Sequence, residues 1–231
     1  MKEMELSEIT RDFWNKWPCD GQSNYETRAK LRYSKEPFIV DCIRQITKTH
    51  QHIVEVGCGQ GTDAITACLY LEPGASYTGI DASDQSIANA EQASAERSSY
   101  LGVIPQFTQG DALALTYENN SLECIYSMGV LHHTTNTQLA IDEIYRVLRP
   151  GGRCYIFLYR TASPKLLVAH TLRALQLVCD KICRRERCFL KIAENFSFEN
   201  ALGTMLVEAC GVPIMRSYSI NHIKLLFTKY N

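Results

Sequence analysis

The chain has 231 residues, 45% of them hydrophobic, with 24 basic and 25 acidic side chains. That length suits one domain with a sizeable core and room for a cover over it. A formal charge of −1 gives no overall pull toward nucleic acid, no apolar run is long enough to cross a bilayer, and the charged start Met1-Lys2-Glu3-Met4-Glu5 lacks the apolar core of a signal peptide, so a cytoplasmic location is expected.

Residues 7–36 set Trp14, Trp17, Tyr25 and Tyr33 among Arg28 and Arg32. A strand pattern, His52 to Val56, runs into three glycines at every second position, Gly57, Gly59 and Gly61, and then into a helical stretch, Thr62 to Leu71. Glycine tolerates positive φ, so a strand can bend sharply into a helix there, and a ligand can lie against bare backbone beside the unpaired N–H groups of the helix start. A dinucleotide fingerprint needs G-x-G-x-x-G. Here the third glycine comes one position early and Thr62 fills the slot, which speaks against a nicotinamide enzyme. A second strand, Ser76 to Asp81, ends in a carboxylate about twenty residues after the turn, where it can accept both hydroxyls of a ribose. Asp84 to Ser99 reads as helix, Ile104 to Gln109 as a third strand closed by Gly110-Asp111, and Cys124 to Gly129 as a fourth. Thr137 to Leu148 is an amphipathic helix stopped by Pro150-Gly151-Gly152, and Arg153 to Tyr159 is a fifth strand. Alternating strands and helices predict an α/β, doubly wound, mainly parallel sheet that binds its ligand at the carboxyl ends of the strands.

The ten cysteines contain no C-x-x-C and no histidine at a metal-ligand spacing, so reduced thiols and no metal are expected. Residues 164–194 read as a basic helix with Lys165, Arg173, Lys181, Arg184, Arg185, Arg187 and Lys191 against Asp180 and Glu186. The expectation is a cover helix with a solvated polar face; a helix lying on a membrane is the alternative.

The run Val54-Glu55-Val56-Gly57-Cys58-Gly59-Gln60-Gly61 has the spacing E/D-x-G-x-G-x-G. It is followed in order by Asp81, by Gly110-Asp111-Ala112, by Tyr126 to Thr134 (Tyr-Ser-Met-Gly-Val-Leu-His-His-Thr) and by Arg146-Val147-Leu148-Arg149-Pro150-Gly151-Gly152. Over about residues 50–160 this set resembles the class I S-adenosylmethionine-dependent methyltransferases, of the small-molecule, type 11-like kind. The resemblance implies a Rossmann-like sheet of order 3-2-1-4-5, S-adenosylmethionine as methyl donor and S-adenosylhomocysteine as product. It implies cofactor contacts from Glu55, Gly57, Cys58, Gly59, Gly61, Asp81, Ala82, Asp111, Ala112 and Ser127, with Asp111 and Ala112 beside the adenine. It also implies an N-terminal lid, with Tyr25, Arg32 and Tyr33 as candidates for its inner face.

His132 and His133 follow strand four, close to where the transferred methyl should point; His133 is the expected general base, with His132 as second candidate. The expected organisation is a helical lid over 1–49, a cofactor-binding core over 50–160 and a helical appendage over 161–231. The appendage carries Gly211-Val212-Pro213 and a helix led by Tyr218-Ser219. The two strands that complete the sheet in the family are not legible after Arg160, so strand five should be an exposed edge that a helical segment covers, a second copy completes or further chain continues. The expected partner is a small-molecule acceptor, with neither nucleic acid nor stable membrane insertion. A nucleic-acid methyltransferase and a non-catalytic cofactor-binding scaffold are the rival readings.

Overall fold

The computed structural model describes residues 3–21, 24–184, 189, 207 and 209–230. Its centre is one sheet of β1 (His52–Val56), β2 (Ser76–Asp81), β3 (Gln106–Gln109), β4 (Leu122–Met128) and β5 (Leu148–Phe157). The order is β3-β2-β1-β4-β5 and every pairing is parallel, as the alternating pattern requires.

Eight α-helices are described: α1 (Glu3–Lys16), α2 (Tyr25–Lys35), α3 (Phe38–Thr49), α4 (Thr62–Cys68), α5 (Asp84–Arg97), α6 (Thr137–Val147), α7 (Pro164–Cys183) and α8 (Ile220–Phe227). Successive side chains of a strand point to opposite faces. Ile53 accordingly joins a core with Ile39, Ile43 and Ile46 of α3 and Ala64 and Ala67 of α4. Its neighbour Val54 joins Ala140, Ile141 and Ile144 of α6 and Leu226 of α8 on the other side. The segment 38–49, placed by sequence in the N-terminal lid, packs Ile39, Ile43 and Ile46 into the core because its isoleucines recur at helical spacing and face the sheet.

Side chains cap the N-termini of α5, α6 and α8. Ser83, Asn136 and Ser219 accept hydrogen bonds from Ser86, Leu139 and His222 N–H at 3.0, 3.1 and 3.2 Å, each satisfying an orphan donor of the first turn. The main boundary correction concerns β5. It starts at Leu148 and carries Pro150-Gly151-Gly152 inside it, because Leu122 pairs with Leu148 while Cys124 already pairs with Arg153. The surplus residues bulge outward. Gly152 lies so close that a Cβ would meet the Arg149, Glu123 and Leu122 carbonyls at 2.9, 3.0 and 3.1 Å.

α7 corrects a second expectation. Arg173 turns inward and donates to the Ala209 carbonyl at 2.6 Å and to the Val212 carbonyl, while Gln176 donates to the Cys210 carbonyl at 2.9 Å. Leu167, Val178 and Ile182 face outward at 70%, 55% and 75% exposure. The outer face is apolar rather than a solvated basic one. The basic run beyond Arg184 lies outside the described residues. Among the described residues no helix is long and apolar enough to cross a membrane.

Candidate cofactor and acceptor site

A cavity opens at the carboxyl ends of β1, β2 and β4, roofed by α1 and the 19–20 loop. The three glycines of the turn do different work. All have positive φ, at +83°, +50° and +72° for Gly57, Gly59 and Gly61. A Cβ on Gly57 would fall 2.3 Å from the Val130 methyls, and one on Gly61 would fall 2.8 Å from Phe107 and 2.9 Å from Ala90. Both positions admit close packing, and Gly57 also lines the cavity. A Cβ on Gly59 would meet nothing nearer than Cys19 at 4.0 Å, so its backbone is bare toward the cavity. Gly61, a cofactor contact by resemblance, is not on the cavity wall; it caps α4 and admits α5.

Asp81 sits where the turn and α5 meet. One carboxylate oxygen accepts from Gly59 N–H at 2.8 Å and the other from Ser83 N–H at 2.9 Å. A carboxylate offers about four acceptor positions, so capacity remains for a diol in the cavity that Asp81 lines. Burial raises its pKa, opposed by the backbone hydrogen bonds from Ser83 and Gly59. Asp111 lies at the end of β3; its carboxylate accepts from Leu113 N–H at 2.9 Å, which brings Ala112 and Leu113 to the wall. Ala82 and Cys58 line it too, and burial beside Asp81 pushes the Cys58 thiol up.

Glu55 reaches the cavity from inside β1 and accepts from the Tyr77 hydroxyl at 2.9 Å. Desolvation, and then the charge of Asp63, hold its pKa well above the carboxylate range. Asp63 was missed in the sequence. Its carboxylate takes a two-pronged grip from Arg32, 2.7 Å on each oxygen, and further bonds from Tyr33 and Tyr126 at 3.0 Å. Arg32 reaches the cavity wall, but Tyr25 and Tyr33 do not. Tyr25 hydrogen-bonds Thr66 at 2.8 Å beneath Arg97, and Tyr33 bonds Thr66 at 2.6 Å. Both hold α2 onto α4 because their hydroxyls are the right length to reach that buried threonine.

Gln60 was also missed. Its amide nitrogen donates to the Cys19 carbonyl at 2.6 Å and to the Gly21 carbonyl, and its oxygen accepts from Asn89 at 2.9 Å. Arg28 donates to the Gln60 carbonyl at 3.1 Å. The turn is thus tied to the N-terminal cover. The signal available was a glutamine between two glycines, where a side chain must leave the turn toward whatever overlies it.

Past β4 the two histidines part. His133 lines the cavity, with Trp14 edge-on at 5.5 Å. Its Nδ1 is 2.6 Å from the Ile214 carbonyl; a carbonyl only accepts, so Nδ1 carries hydrogen and Nε2 is the basic nitrogen of the neutral ring. His132 is fully buried against Tyr159 at 3.9 Å and is not on the wall. The single turn Leu131–His133 sends consecutive side chains in different directions, and only one reaches the site. Ser127 is likewise buried and donates to the Val56 carbonyl at 2.9 Å; it braces β1 against β4 and does not line the cavity. Residues 214–216 supply contacts the sequence did not announce: Ile214 lines the wall, and Arg216 donates to the Thr134 and Thr135 carbonyls.

A five-stranded parallel sheet, a bare glycine turn and a strand-end carboxylate make a doubly wound, Rossmann-like core with its ligand crevice at the carboxyl ends of the strands. Residues 54–156 match the family model described as a methyltransferase domain, so over that core the chain is similar to the class I S-adenosylmethionine-dependent methyltransferases. The fatty-acid O-methyltransferase of Mycolicibacterium smegmatis is 31% identical over 125 residues, 54% of this chain and 42% of that protein. The sterol 24-C-methyltransferase of Pneumocystis carinii is 32% identical over 100 residues, 43% of this chain and 26% of that protein. The chain thus matches less than half the length of these curated relatives. Its fold is shared with a SAM-dependent methyltransferase of Thermotoga maritima, with a TM-score of 0.59 and 16% identity over 97% of this chain and 79% of that one.

Proposed function

We propose that the protein transfers a methyl group from S-adenosylmethionine to an apolar small molecule. The observation that carries this reading is Asp81, bonded to the bare backbone of Gly59 at the carboxyl ends of parallel strands. The site fits a nucleoside: Asp81 would accept the ribose hydroxyls, Asp111 and Ala112 would flank the base, and Gly59 leaves room for the chain that follows. When bound, the sulfonium supplies a methyl group that already leaves readily. The protein's own share is placement and exclusion of water, which in well-oriented cases removes on the order of 7–11 kcal/mol of barrier.

Trp14, Val130 and Ile214 make the acceptor side apolar. The relatives named for fatty-acid and sterol methylation support the same chemical class. His133, its tautomer set by Ile214, would take a proton from a hydroxyl acceptor.

Calorimetry with S-adenosylhomocysteine tests the donor site. Asp81→Ala should weaken binding at least about tenfold, the range of hydrogen bonds to a charged group. His133→Gln should leave that affinity intact and lower turnover about 100-fold with labelled donor and a long-chain hydroxylated acceptor. Absence of heat with wild-type protein would end the reading.

A further inference from the structure

We propose that the outer face of α7 docks the protein onto an anionic membrane surface. This goes beyond methyl transfer and does not depend on it. α7 opens with Pro164 at its first position and runs 20 residues. Its inner face is fastened by Leu166, Ala169, Arg173 and Gln176. Leu167, Thr171, Leu175, Val178 and Ile182 stand four, four, three and four residues apart, which places them within roughly 80° of the helix circumference. All five are exposed. The stripe runs for about 22 Å at 1.5 Å per residue. A contiguous apolar face of that length on a soluble domain marks an interaction surface.

Charge selects the occupant. Lys181 and Arg184 are exposed at the C-terminal end of α7, close to Ile182 in the chain. From 164 to 187 the sequence carries six basic residues against two acidic ones, in a chain whose formal charge is −1. Arg173 of these turns inward, and among the described residues Lys181 and Arg184 are exposed at the end of the apolar helix face. An apolar stripe bordered by cations matches a bilayer surface, where alkyl side chains enter the acyl boundary and cations meet anionic headgroups. No described helix is long and apolar enough to span, so the contact is in-plane.

Sedimentation of the full chain with vesicles tests this. The protein should pellet with vesicles containing phosphatidylglycerol and remain in solution with pure phosphatidylcholine. The double variant Val178→Glu, Ile182→Glu should lower vesicle affinity at least about tenfold, and Lys181→Glu a few-fold, with the salt sensitivity of an electrostatic component. Both apolar positions are exposed, so circular dichroism, melting and S-adenosylhomocysteine affinity should be unchanged. Failure to pellet with anionic vesicles, or equal pelleting of the double variant, overturns the proposal. So does a dimer in solution that the double variant abolishes, which would make the stripe a contact between copies.

Discussion

Gly57 shows how much one missing methyl group decides. With φ at +83° and Val130 filling the space a Cβ would take, Gly57→Ala combines backbone strain with overpacking. The expected loss is about 2–4 kcal/mol, read by chemical denaturation. Adding Val130→Ala should recover the steric part and leave the backbone part; full recovery would show that φ is immaterial there. Glu55 gives a pH signature. Its folded pKa is raised by burial and by Asp63, so between its unfolded and folded values the native state holds a proton that the unfolded state has released. Stability contributed by this group is complete below the unfolded value, near 4.5, and is lost as pH rises toward the folded one, with a slope of up to about 1.4 kcal/mol per pH unit. Glu55→Gln keeps an acceptor for Tyr77 and removes the titration. Melts from pH 5 to 8 should therefore fall less steeply in the variant, Asp81 retaining a smaller slope of the same sign. Identical profiles would mean that Glu55 ionises freely in the fold.

At the scale of elements, a buried ion pair joins the tyrosine bonds to Thr66 in holding the cover helix α2. Arg32 grips Asp63 through two 2.7 Å bonds, and Asp20 lies 3.6 Å from the same guanidinium. Removing one partner strands the other, at about 3–5 kcal/mol. Arg32→Ala should show this in denaturation, whereas Arg32→Ala combined with Asp63→Asn should recover part of it. Strict additivity of the two changes would sink the pairing. The strands, the glycine turn and the strand-end aspartates were legible because strand alternation, helix periodicity and glycine spacing are local signals, while the order of the sheet came from the family resemblance. What sequence could not separate was direction. His132 and His133 are neighbours, yet only the latter reaches the cavity; Tyr25 and Tyr33 share a helix with Arg32, yet they serve docking. Asp63 looks in sequence like an ordinary first-turn acid, and its partners are 31 and 63 residues away in the chain. The inward Arg173 escaped for the same reason, since its carbonyl partners lie 36 and 39 residues on.

For the whole molecule, the sheet ends at β5. Among the described residues its outer edge is met only beyond the strand, by the bridge between Arg160 and Tyr218, and no sixth strand lies beside Arg149–Phe157. Open ladder groups favour pairing, and a second copy is our proposal for that edge. Light scattering should give a mass rising toward twice 26.2 kDa with concentration; an invariant monomer mass would exclude it. The amide of Gln60 carries a different consequence. It fastens the N-terminal loop and α5 to the very bend that would receive the nucleoside, so occupancy and closure share one fastening. By reciprocity, whatever grip the closed N-terminus lends a guest, the guest returns as resistance to peeling. We expect a protease to clip the first two dozen residues more slowly when S-adenosylhomocysteine is present, and Gln60→Ala to erase that difference.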